Sequence, residues 1–162
     1  PIPQCKSQVS GHMYTNWAAN LLVVLATAAT VALAVLVHYE GLAGLSSWLA
    51  RGQSNRRRKV LLGVYGVIVL HVVEIWLFGS AIWSLLQLSG TGSIQGNAQT
   101  PLLDAIYLSA VTFSTVGFGD LAPVGPIRFL SGTEALTGFI LITWSASFLY
   151  LEMEQFWRKR RE

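Results

Sequence analysis

Residues Thr112 to Asp120 read TFSTVGFGD. Two glycines flank one aromatic residue, a threonine and a valine stand before them, and an aspartate follows. Glycine enters left-handed backbone without the steric penalty that a Cβ brings. Two glycines two positions apart therefore suit a backbone that alternates between ordinary and left-handed dihedrals and so turns its carbonyls to one side. At membrane depth such irregular backbone is tolerated only where it lines a protein-enclosed or water-filled path.

The rest of the chain places this segment at membrane depth. Of 162 residues 52% are hydrophobic and only 12% charged, against about 25% charged in a soluble domain. A chain this poor in charge lacks the polar surface to face water all round, which points to a bilayer. The net charge of +3 does not indicate nucleic acid, because the positive residues are gathered in two clusters that flank apolar runs. Cys5 is the single cysteine, which excludes an intrachain disulfide and a cysteine-based metal centre. Ser10 to Met13 (SGHM) resembles a cloning scar before a start methionine, so residues 1–13 are read as a tail without functional weight.

A bilayer core about 30 Å thick needs about 20 helical residues. Three segments meet that length: Trp17 to Val37, Val60 to Leu88 and Ile127 to Leu151. The apolar stretch Pro101 to Ser114 does not, since at about 1.5 Å per residue it reaches only about two-thirds of the way across. Thr100 followed by Pro101 is a favourable helix start, an N-cap with proline in the first helical position. The expected element is a short helix that enters the membrane and stops.

Positive charge gives the orientation. Of eleven Lys and Arg, five lie in Arg51 to Lys59 and four in Arg158 to Arg161. Both clusters belong on the cytoplasmic side by the positive-inside rule. They share a side only if the short helix is re-entrant, because two full spans then separate them. The N-terminus is accordingly outside, the C-terminus cytoplasmic, and Ser89 to Thr100 an external loop. Between the first two spans, Gly41 to Ala50 either lies in the inner interface, as Trp48 would suit, or lengthens a span. The fold class expected is all-α integral membrane, with three spanning helices, a re-entrant helix and a loop.

With that frame in place, TVGFGD at Thr115 to Asp120 resembles the selectivity filter of potassium channels, usually TVGYGD. The resemblance extends from Pro101 to Tyr150, as pore helix, filter, and then Pro123 and Arg128 at the head of an inner helix. It implies a pore domain over 51–162: outer helix 60–88, pore helix 101–114, filter 115–120 and inner helix 127–157. Residues 14–50 form an extra first span and connector, an arrangement similar to small bacterial ion-channel proteins. The family implies potassium ions held by Thr115, Val116, Gly117, Phe118 and Gly119, with Asp120 at the outer mouth. One strand offers one carbonyl per layer, so a homotetramer is implied, in a bacterial inner (plasma) membrane. Conduction is passive, without covalent chemistry and without a cofactor beyond the permeant ion.

The chain also departs from the family pattern. Phe118 lacks the hydroxyl of the usual tyrosine. Many prokaryotic members carry a glutamate four residues before the filter threonine, paired with the filter aspartate; here Val111 stands there. Asp120 is therefore expected to lack that partner, leaving the outer half of the filter less firmly held. No span carries arginines at every third position, as a voltage sensor would, and the short tail after the third span leads us to expect no cytoplasmic ligand-sensing domain.

The remaining polar residues in the spans are costly in hydrocarbon and thus site candidates. His71 and Glu74, three apart, share a helix face. They are read foremost as a mutually satisfied pair; a proton-sensitive latch, or half a metal site completed by His38 from nearer the cytoplasm, are the alternatives. Glu134 is expected to bond the back of the pore helix through Ser109 or Thr112. Gly138, twenty-three residues after Thr115, resembles the hinge glycine of potassium-channel inner helices, or else permits close helix packing. The expected function is potassium-selective conduction. A weakly selective cation channel, or a non-conducting structural or regulatory subunit, is the alternative, with a membrane metalloenzyme built on His38, His71 and Glu74 a distant third.

Overall fold

The computed structural model describes residues 17–51, 56–96 and 101–158. In chain order the elements are α1 (Trp17–Arg51), α2 (Arg56–Leu86), β1 (Ser93–Gly96), α3 (Pro101–Phe113), β2 (Leu121–Val124) and α4 (Arg128–Arg158). α1, α2 and α4 are each long and apolar enough to cross a membrane, whereas α3 is a short apolar helix.

α1 is built from Ala, Val, Leu and Thr with apolar side chains on every side, as a helix surrounded by lipid and protein requires. Its threonines return their hydroxyls to the preceding turn: Thr27 Oγ1 donates to the Val23 carbonyl at 2.7 Å and Thr30 Oγ1 to Ala26 at 2.8 Å. Polar side chains of this kind cross hydrocarbon without leaving a hydrogen unbonded. The helix runs without interruption through Gly41 to Ala50, so that segment lengthens the first span rather than forming a separate interfacial piece.

α1 packs on α2 and α4, and α3 is wedged between α2 and α4. The core at this junction holds Phe78, Ile82, Ala105, Phe113, Ile127 and Leu141, with Val23 and Ala34 brought in by α1. The outer faces of the long helices carry exposed Leu21, Leu25, Leu36, Val69 and Phe139. The helix starts fall within one residue of expectation except at the second span, which begins four residues earlier, at Arg56, while α1 runs on past Val37 to Arg51 and α4 past Leu151 to Arg158. Thr100, the expected N-cap of α3, and 159–161 of the second basic cluster lie outside the described residues.

The external segment is more ordered than a plain loop. β1 pairs antiparallel with β2, Ser93 opposite Val124 and Gly96 opposite Leu121. The stretch expected as a loop from Ser89 thus contains a strand, and the chain after Asp120 forms a second one before α4 begins. Thr91 secures the arrangement from below, its hydroxyl donating toward the Leu85 and Leu88 carbonyls at the end of α2. Its own carbonyl accepts the Ile127 amide at 2.9 Å. The ends of α2 and α4 are thus joined beneath a two-stranded cap.

Candidate functional site: the filter strand and its supports

The last turn of α3 leads straight into the Thr115–Asp120 segment, the candidate filter. Ser114 N–H bonds the Ala110 carbonyl at 3.1 Å and Thr115 N–H the Thr112 carbonyl at 2.9 Å. From there the backbone alternates as the glycine spacing anticipates: φ is +59° at Thr115, +52° at Gly117 and +80° at Gly119, with Val116 and Phe118 in the ordinary region. A Cβ at Gly117 or Gly119 would meet nothing within 4 Å, so these glycines answer a dihedral requirement and not a shortage of space. Thr115 was not foreseen as left-handed. A β-branched residue there is strained, and such strain persists where the surroundings hold the backbone in place.

Residues 114–120 are exposed along their whole length, with Phe118 at 72% and Val116 at 56%. Beyond Thr115, two further bonds among the described residues tie this open strand back to α3. The Gly117 amide donates to the Val111 carbonyl at 3.0 Å. The Tyr107 hydroxyl donates to the Asp120 carboxylate. Val111 offers Asp120 no carboxylate partner, and the brace comes instead from Tyr107, one helical turn before Val111. Residues i and i+4 share a helix face, and that spacing was the available signal.

Behind α3, Glu134 on α4 accepts from the Ser109 hydroxyl, which also lies 2.9 Å from the Ile75 carbonyl of α2. Ser109 thus joins three helices at one point. Of the two partners anticipated for Glu134, Ser109 is the one used; Thr112 supports the filter through its main-chain carbonyl. Glu134 is fully buried, and its second oxygen has no bond among the described residues. At Gly138 a Cβ would collide with the Phe113 main-chain carbonyl, so close approach of α4 to the end of α3 accounts for this glycine.

The ionisable residues of the spans form a cluster of three. Glu74 Oε2 lies 2.9 Å from His71 Nδ1, as the pair reading anticipates, and Oε1 lies 2.7 Å from His38 Nδ1. His38 is therefore level with Glu74 and bonded to it, not displaced toward the cytoplasm. Its other ring nitrogen is 3.4 Å from the Ser145 hydroxyl on α4, a contact the sequence reading missed.

The alternating strand, the half-length helix in front of it and the flanking long helices together have the layout of an ion-channel pore module. The chain belongs to the ion channel family, whose model matches residues 68–155, just over half of the sequence. Among its relatives is protein LctB of Geobacillus stearothermophilus, 34% identical over 101 residues, covering 59% of this chain and 75% of that protein. The inward rectifier potassium channel Kirbac3.1 of Paramagnetospirillum magnetotacticum is 29% identical over 85 residues, covering 52% of this chain and 29% of the channel. Membership in this family supports ion conduction across a membrane and a channel's role rather than an enzyme's.

Proposed function

We propose that the protein is a potassium-selective channel in which four copies of the chain each supply one filter strand. The observation that carries this reading is the alternation of left-handed backbone at Thr115, Gly117 and Gly119. Carbonyls of Thr115 to Phe118, with the Thr115 hydroxyl, then form rings of oxygen that replace the ion's hydration shell. Exposure of the strand in a single chain fits this reading, since its polar groups are left for ions and for neighbouring copies. Asp120 adds negative potential at the outer mouth, and the C-terminal end of α3 directs its partial negative charge toward the cation path.

Orientation follows from charge: Arg51 and Arg56 to Lys59 at the junction of α1 and α2, with the cluster starting at Arg158, mark the cytoplasmic side. The N-terminus is external, the membrane is a bacterial inner membrane, and the permeant potassium ion is the single ligand that conduction needs.

Purified protein in liposomes, loaded with potassium and assayed for gradient-driven flux with a sodium control, tests the proposal. Potassium flux well above sodium flux is expected. Equal fluxes would leave a weakly selective cation channel, and no flux from intact tetramers would leave a non-conducting subunit.

A further inference from the structure

His38, His71 and Glu74 are brought together from two helices, and each offers a ligand atom within 4.8 Å of the others. We propose that they form a binding site for a divalent transition metal of the zinc class, which clamps α1 to the pore unit. The inference is independent of which ion the pore conducts.

The donor set selects the metal. Two imidazole nitrogens and one carboxylate suit zinc and its neighbours, whereas potassium, magnesium and calcium take oxygen. Both rings turn the same nitrogen, Nδ1, toward the two oxygens of one carboxylate. A metal ion between them takes the place of the hydrogens these bonds now share, each neutral ring then carrying its hydrogen on Nε2. The Glu74 carboxylate offsets part of the cost of bringing a dication into apolar surroundings.

The surroundings are those of ligands held in orientation. Ser145 stands at the far nitrogen of His38, the position from which an outer partner fixes a metal-binding imidazole. Trp144 packs against His38 with ring centroids 5.2 Å apart, and the two histidine rings stack at 5.6 Å. Phe113, the last residue of α3, lies 5.7 Å from His71. All four helices thus converge on this cluster. His38 and Glu74 are sealed, while the His71 side chain keeps 16% of its surface and gives the route of entry.

Location gives the consequence. Phe113 precedes the filter by two residues and touches both His71 and the approach of Gly138. Metal held at the cluster fixes α1, α2 and α4 around the base of α3, at the root of the filter strand.

Cobalt(II) is the probe, because its visible absorption reports nitrogen and oxygen ligation directly. Metal-stripped, tag-free full-length protein carrying Cys5→Ala and His12→Ala, which remove other ligand types, is titrated with Co2+. The expected result is a saturable ligand-field band at one ion per chain, displaced by Zn2+ and not by Mg2+, with zinc raising the melting temperature by several degrees. Glu74→Gln and His38→Gln each weaken Co2+ binding by more than about a hundredfold, beyond the 10–100-fold loss typical of an outer partner. Ser145→Ala, which leaves all three ligands in place, weakens it by about tenfold. Lack of a saturable band in the parent protein would overturn the proposal without recourse to any variant. So would a band that persists at full affinity in folded Glu74→Gln.

Discussion

The filter strand and the histidine–glutamate cluster are both polar features inside apolar sequence, yet they are finished in different ways. From Ser114 to Asp120 the filter is exposed along its length in a single chain, tied back to α3 by the Gly117 amide and the Tyr107–Asp120 bond. The cluster is closed: Glu74 spends both oxygens on histidines of its own chain, and His38 and Glu74 have no exposed side-chain surface. Irregular backbone left open at membrane depth demands neighbours or ions. A cluster satisfied internally instead joins helices within one chain. The contrast teaches that the same apolar chain contains one polar element left open at its surface and another closed within the fold.

Substitutions on the two sides of this comparison should therefore fail differently. The largest effect is expected at Gly119. Gly119→Ala places a Cβ on left-handed backbone, an unfavourable change of roughly 1–2 kcal/mol per residue, and should abolish potassium flux while the tetramer still assembles; undiminished flux would sink the filter assignment. Glu74→Gln acts on the closed side. Breaking a buried charged network typically loses about 3–5 kcal/mol, so the variant should melt well below the parent, and an unchanged melting temperature would show that the cluster does not bind the helices together.

Gly138→Ala lies between the two regions. Forcing α4 away from the Phe113 carbonyl should destabilise by about 1–3 kcal/mol, the usual range for overpacking, seen as a lowered denaturation midpoint. A neutral result there would favour a hinge role over close packing. Tyr107→Phe removes the brace on Asp120 and nothing else. It should leave the fold intact and reduce the preference for potassium over sodium by a factor of a few; unchanged selectivity would mean that the Gly117–Val111 bond suffices. Phe118→Tyr is expected to have the smallest effect, keeping potassium preference or sharpening it, since it restores a hydroxyl in the outer half of the filter. Loss of preference in that variant would reveal a different mode of support.

Much of the architecture was legible because a bilayer imposes length. Spans of about 20 apolar residues locate α1, α2 and α4, and the shortfall of Pro101 to Ser114 sets α3 apart as a helix too short to cross. The left-handed backbone at Gly117 and Gly119 was legible because glycine reports a dihedral requirement directly, while that at Thr115 was not, since nothing in a β-branched residue announces it. Strands β1 and β2 escaped notice because four residues with Gly and Pro nearby carry almost no periodic signal. The position of His38 relative to Glu74 depends on how far α1 slides along α2, a packing variable that hydropathy does not contain. Tyr107 was not legible as the partner of Asp120 because the family pattern places that partner at the Val111 position, although the two share a helix face.

The most direct test of the central claim is the reversal potential of the purified wild-type channel in a planar bilayer with potassium on one side and sodium on the other. If four strands with alternating backbone form rings of carbonyl oxygen, current reverses far from zero in the direction of potassium selectivity. A reversal potential at zero, with current flowing, would contradict the account.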